Sequence, residues 1–194
     1  MRYIERVGQR LRARKAQKWL LDGARVLDIG CDQGEFLRGV EDRIGPSVGI
    51  DPVTTPVAGP HFRLLAEPFR EPLPFADGSF DAVVMLATLE HIRDKEPLAR
   101  ECRRLLVPGG RVIITVPQPF VDKICAAFMF FHLADCRSLE EHHGYDPAET
   151  ESFFVRNSFT LEHHSRFELG CNNLFVFQRT TVGAAERLEA SAIP

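Results

Sequence analysis

Three carboxylates and two glycines crowd one short stretch, Asp28-Ile-Gly30-Cys-Asp32-Gln-Gly34-Glu35. Glycine lets a backbone turn sharply and approach a ligand closely. A dinucleotide site would read Gly-x-Gly-x-x-Gly and seat a pyrophosphate on a helix N-terminus. Here the glycines are spaced Gly-x-x-x-Gly, and acids stand at 28, 32 and 35. Such a loop repels a pyrophosphate and suits a cationic or zwitterionic ligand. A further carboxylate, Asp51, ends the run Ser47-Val-Gly-Ile-Asp51, 21 residues beyond Gly30. At that place a carboxylate can accept hydrogen bonds from both hydroxyls of a ribose.

These residues need elements to hold them. Arg25–Ile29 is a short apolar run with strand character, and the glycine loop follows it into a helical stretch from Glu35 to about Ile44, stopped by Gly45-Pro46. Ser47–Asp51 reads as a second strand, residues 52–60 with three prolines as a loop, and His61–Leu65 as a third strand. Asp81–Ala87 is a nearly all-apolar fourth strand, Asp94–Leu106 a helix stopped by Pro108-Gly-Gly110, and Arg111–Val116 a fifth strand. Alternating strands and helices predict a parallel, doubly wound sheet with helices on both faces. Pro147–Asn157 reads as a helix with Asp146 as N-cap and Pro147 at its first position. Thr160–Leu169 and Asn172–Gln178, flanking Gly170-Cys171, read as an antiparallel hairpin at the sheet edge. In such open sheets ligands bind at the carboxyl ends of the strands. Asp28 to Gly34 and Asp51 fall at those ends.

A ligand with a ribose, positive charge and no phosphate matches S-adenosylmethionine (SAM). The motifs carry the same message. Val26-Leu-Asp-Ile-Gly-Cys-Asp-Gln-Gly-Glu-Phe-Leu37 resembles the glycine-rich first motif of class I SAM-dependent methyltransferases. Gly49-Ile-Asp51 resembles their acidic second-strand end. Leu73–Val84 with Leu89-Glu-His-Ile92 resembles the motif around strand four, and Leu105–Ile113 the approach to strand five. The resemblance spans about residues 25–117, with four motifs in order, and points to the small single-domain type that acts on small molecules. It implies a Rossmann-like, doubly wound α/β fold with a seven-stranded, mostly parallel sheet and one antiparallel strand near the C-terminus.

The resemblance also implies roles. SAM is the expected cofactor and S-adenosylhomocysteine the product. Asp28, Gly30, Cys31, Asp32 and Gly34 would surround its methionine end, with the Cys31 side chain packed behind the loop. Asp51 and Pro52 would meet the ribose, Ala66 and Glu67 the adenine amino group, and Leu86, Ala87 and Thr88 the methionine part. Two departures stand out: Asp32 replaces a customary glycine, and Ala66-Glu67 stands for an Asp-Ala pair, before a longer Pro68–Pro72 loop. Quinone-pathway relatives that bind a metal use a glutamate at the position of Ala87, so no metal is expected. His91 is the candidate general base, because an imidazole titrates near neutrality. Its alternative use, with Glu90, is to brace the next helix. Glu90, His91, His143 and Tyr145 are the candidate substrate contacts.

The 194 residues fit one domain: an N-terminal amphipathic helix within 1–24, a methyltransferase domain over 25–179 with an insert at about 118–146, and a loosely held tail at 180–194. Residues 1–25 carry a net charge of +6 and the remainder −9. The helix expected from Tyr3 to Leu21 therefore has a basic face, read as solvated while its apolar side packs on the domain. The apolar insert stretch 124–131 reads as a helix packed on the domain, with a lid or docking surface as alternatives. Net charge −3 gives no general case for nucleic-acid binding. Five cysteines without a CxxC pair, no apolar run of about 18 residues and no signal-peptide core suggest a cytoplasmic setting. The expected partner is a small-molecule acceptor. The alternatives are a SAM-binding module without catalysis, or RNA methylation with the basic helix as docking face.

Overall fold

A computed structural model describes residues 2–118 and 146–181, with side chains from Val7 onward. The apolar stretch 124–131, His143, Tyr145 and the tail beyond residue 181 lie outside the described residues.

Strands β1 (Val26–Ile29), β2 (Ser47–Ile50), β3 (Val57–Ala58), β4 (Phe62–Leu65), β5 (Phe80–Leu86), β6 (Leu106–Pro117), β7 (Phe159–Phe167) and β8 (Asn172–Arg179) form one sheet in the order β3-β4-β2-β1-β5-β6-β8-β7. The pairs β1–β2, β1–β5, β2–β4 and β5–β6 are parallel, whereas β8 runs antiparallel to both β6 and β7. The expected seven-stranded frame with its antiparallel C-terminal strand is present. An eighth strand, β3, adds a second antiparallel member. Its two residues pair with β4 inside the proline-rich segment read as loop, where Gly59 N donates to Phe62 O at 2.7 Å and turns the chain back.

Helices cover both faces. Helix α1 (Arg2–Ala16), with Ala13 and Ala16 turned inward, and α2 (Glu35–Gly39) pack with Val26, Val84, Ile113 and Val176. On the other face α3 (Lys95–Leu105) and α4 (Glu149–Arg156) pack with Leu27, Val83, Ile114 and Phe177. Alternate residues of each central strand feed opposite faces, which explains why these strands are almost wholly apolar.

Several element ends differ from the sequence reading. Helix α1 gives way to a single 3-10 turn at Gln17–Trp19, and extended Leu20 then turns into the core, ending the helix short of Leu21. The helix after the glycine loop is interrupted at buried Val40, with a 3-10 turn over Glu41–Arg43. Strand β6 absorbs Pro108-Gly109-Gly110 as an irregularity in its pairing with β5. Helix α4 begins at Glu149, and Asp146 caps the turn before it by accepting from Ala148 N at 2.9 Å.

Arg25 ties together the amino-terminal ends of two central strands. Its Nε and Nη2 donate to the two Asp81 carboxylate oxygens at 2.9 Å each, joining the start of β1 to β5. Beyond β4, the chain is held by Glu101, only 2 % exposed, which accepts from Leu73 N at 2.7 Å and pairs with Arg104.

Candidate active site

Strand order reverses beside β1, with β2 on one side and β5 on the other, and a crevice at the carboxyl ends follows from that topology. Gly30 stands there at φ 78°, donating to Ile50 O at 2.9 Å. A Cβ at Gly30 would run into the Thr88 side chain, its Cβ 2.9 Å away. Gly34, at φ 74°, lies over Leu64, whose Cδ1 would be 2.6 Å from an added Cβ. Both glycines are demanded twice, by a backbone conformation that side chains resist and by a neighbour already in place.

Asp32 occupies the same left-handed region, at φ 46°. Aspartate is one of the few residues that visits it readily. Its backbone N donates to Asp51 Oδ2 at 3.0 Å, and Val53 N donates to Asp51 Oδ1 at 2.9 Å. The Asp51 carboxylate is thus oriented from both sides, next to the glycine loop. Glu67 N and Asp51 N both donate to Leu65 O, at 2.8 and 3.2 Å, which sets Ala66-Glu67 beside Asp51 on the exposed rim. Pro52 is exposed in the turn that follows Asp51.

Asp28 lies beneath, 2 % exposed. Burial first, and then the negative charge of Asp51, push its carboxyl up to about 7. Cys31 is buried behind the loop, and burial together with Asp28 and Asp51 pushes its thiol up to about 12, so it stays a neutral, inert thiol. A buried carboxylate opposed by a second one is a place where positive charge would be favoured. The donor set therefore fits a cationic, ribose-bearing cofactor.

Leu86 and Ala87 close β5, with Ala87 at φ 57° and its N donating to Thr115 O at 2.9 Å. A 3-10 turn, Leu89–His91, follows. Glu90 is buried, and Lys95 is pushed below the ordinary lysine range by burial, which the charges of Glu149 and then Glu90 partly oppose. His91 is half-buried, with its N donating to Thr88 O at 3.0 Å. The structure thus brings together Asp28, Gly30, Cys31, Asp32, Gly34, Asp51 and, at the rim, Pro52, Ala66 and Glu67.

Two contributors, Leu64 and Gln33, were not read from the sequence. Leu64 underlies Gly34, as Thr88 packs on Gly30. Gln33 clamps the loop beyond Asp51 by donating to Val53 O at 3.3 Å and accepting from Thr55 N at 3.4 Å. Only the alignment of β1, β2, β4 and β5 in one sheet brings these contacts together.

A doubly wound sheet with a glycine turn and two carboxylates at its switch point has the architecture in which open α/β domains place their ligand sites. A family model described as "Methyltransferase domain" matches residues 2–167, and the chain belongs to that family of SAM-dependent methyltransferases. It is 35 % identical over 107 residues to the ubiquinone biosynthesis O-methyltransferase of Pseudomonas aeruginosa, covering 49 % of this chain and 45 % of that protein. It is 30 % identical over 144 residues to methyltransferase GfsG of Streptomyces halstedii, covering 66 % of this chain and 51 % of that protein. The chain spans about half the length of the curated relatives it matches. Among solved structures, the complex of the Haloferax volcanii Trm112 methyltransferase activator and a putative methyltransferase includes a chain that matches at TM-score 0.70 and 17 % identity, covering 90 % of this chain and 89 % of that one. A SAM-dependent methyltransferase from Mesorhizobium loti matches at TM-score 0.63 and 18 % identity, covering 85 % and 96 %. Among the described residues, no helix is long and apolar enough to cross a membrane.

Proposed function

We propose that this chain transfers a methyl group from SAM to a small-molecule acceptor by in-line displacement. The observation that carries the cofactor assignment is the Asp28–Asp51 pair: a buried carboxyl raised to about 7, under a second carboxylate oriented by two backbone N–H groups. The names of the relatives, an O-methyltransferase of ubiquinone biosynthesis among them, support a small acceptor.

When bound, SAM supplies a methyl group already activated by its sulfonium. Asp28 answers positive charge from below, and Gly30 and Gly34 keep the loop backbone tight around the methionine end. Asp51 would accept from the ribose hydroxyls, with Pro52 beside it, and Ala66-Glu67 would meet the adenine amino group. Leu86 and Ala87 flank the methionine part and help exclude water. The chain's main contribution to rate is alignment of the acceptor with the methyl group. Where the acceptor must lose a proton, His91 is the group to take it.

Calorimetric titration of SAM and S-adenosylhomocysteine into wild type and Asp51→Ala tests the assignment. The expected result is micromolar binding to wild type, weakened by about 1–3 kcal/mol in the variant, the usual cost of losing a hydrogen bond to a charged group. Absence of binding by folded wild type would overturn the reading.

A further inference from the structure

We infer that the outer face of α1 and the tip of the β7–β8 hairpin together form a docking surface for an anionic lipid bilayer. The inference is independent of the acceptor and of the cofactor contacts above.

Charge is the first observation. Helix α1 carries six basic residues and one acid, a net +5 in a chain of net −3, so positive charge is concentrated on this helix. Placement is the second. Val7, Arg10, Leu11 and Arg14 recur at helical spacing on one face of α1, and all four are exposed, with exposed Lys18 in the turn that follows. The opposite face holds Ala13 and Ala16 against the sheet. The helix therefore presents its apolar pair and its cations together, outward. An outward face of cations interspersed with a partly exposed apolar pair suits contact with the headgroups of an anionic bilayer.

The hairpin tip is the third observation and the most specific. Glu168, Leu169 and Gly170 are three consecutive left-handed residues, at φ 52°, 54° and 87°. Glycine adopts this conformation freely, but leucine does so against the steric cost of its Cβ. Leu169 is nonetheless leucine, and its side chain is fully exposed at the apex. A strained backbone that holds an apolar side chain wholly in water stabilises nothing within the fold. In a bilayer interface the same side chain would be buried. The tip also adjoins α1, for a Cβ on Gly8 would find Arg12 Nη1 at 3.6 Å and Glu168 Oε1 at 3.9 Å. Gly8 and Arg12 directly follow Val7 and Leu11 in the helix, so the apolar positions and the tip share one end of the molecule.

This combination favours lipid over nucleic acid. A phosphate backbone rewards arginine and lysine but offers nothing to Leu169, Val7 or Leu11. An anionic bilayer rewards both. β8 begins opposite Pro117, at the carboxyl end of β6, so the tip lies at the same end of the sheet as Asp28 and Asp51. A bilayer-bound molecule accordingly turns that end toward the membrane.

The test is co-sedimentation of the full chain with vesicles of phosphatidylcholine alone and of phosphatidylcholine with 30 % phosphatidylglycerol, at low and at 0.5 M salt. The expected result is partition onto the anionic vesicles only, lost at high salt. Arg10→Ala with Arg14→Ala should reduce it roughly 30-fold, at about fivefold per cation near an anionic surface. Leu169→Gly should reduce it roughly tenfold by removing a buried leucine side chain. The same Leu169→Gly change should leave the melting temperature unchanged or raise it, because it relieves backbone strain. That opposite response separates a docking role from a structural one and keeps the test valid if the arginine variant folds poorly. Equal partition onto both vesicle types, no partition onto either, or wild-type partition by Leu169→Gly would each overturn the inference. So would tight binding to a 20-base-pair RNA duplex without vesicle binding, which would make the face a nucleic-acid surface.

Discussion

Asp28→Asn should make the protein without cofactor more stable at neutral pH while weakening its hold on SAM. The Asp28 carboxyl is raised from an ordinary 3.8 to about 7, by burial and then by Asp51. A carboxyl raised in the folded state contributes stability that is fully present below pH 4 and is lost as pH climbs through 7. At about 1.4 kcal/mol per pH unit, the loss between those limits is about 4 kcal/mol, an upper figure because a buried site relaxes on ionising. In a chain of this size that corresponds to roughly 8–16 °C of melting temperature. Asparagine keeps the shape and removes the ionisation, so the variant should lack this slope. Thermal melts of both proteins at half-unit steps from pH 5 to 8.5 would show the curves diverging upward in pH, with the variant the more stable above 7. Added SAM should reverse the order at pH 8, because a cation favours the ionised Asp28 that only wild type can supply. Parallel pH profiles for the two proteins from pH 5 to 7 would refute the reasoning about this site.

Two further substitutions probe the supports of the site. Gly30→Ala sets a methyl group against the Thr88 side chain at a left-handed φ, and should cost about 2 kcal/mol or more of folding stability. Denaturant melts should show Thr88→Ala recovering the part due to overlap but not the part due to the backbone; full recovery would place the whole cost in the contact. Arg104→Ala strips buried Glu101 of a partner held at 2.7 and 3.0 Å and frees the carbonyls of Leu73 and Phe75. Breaking a buried pair on one side costs about 3–5 kcal/mol, and a melting point within 2 °C of wild type would contradict that role.

The core of the fold was legible because its strands are short, apolar and punctuated by glycine and proline. Val26–Ile29, Ser47–Ile50 and Phe80–Leu86 appear within a residue or so of their expected bounds. What escaped was local. The β3 pairing depends on where Gly59 turns the chain, and the prolines before it read equally well as loop. Val40 ended a helix because the core required its side chain, and the helical pattern across Glu35–Ile44 does not register that need. The site divides along the same line. Asp28, Gly30, Gly34 and Asp51 declare themselves by type and spacing. Gln33 and Leu64 are ordinary residues whose roles arise only when β1, β2 and β4 lie side by side.

Asp32 shows how a departure from a motif is resolved by geometry. A glycine is customary at this position in the family that the chain resembles, which raises the question of whether the side chain blocks the site. The backbone there is left-handed, the reason a glycine suits the place, and aspartate is among the few substitutes that accept such a φ. The turn is therefore preserved, as the bond from Asp32 N to Asp51 Oδ2 shows. The side chain is exposed, so it fills none of the buried space beside Asp28. Its charge adds to those of Asp28 and Asp51 at the rim, where solvent screens it to the order of 1 kcal/mol or less. That sign favours a cation and disfavours a phosphate. The substitution thus keeps the loop's shape and reinforces its preference for positive charge.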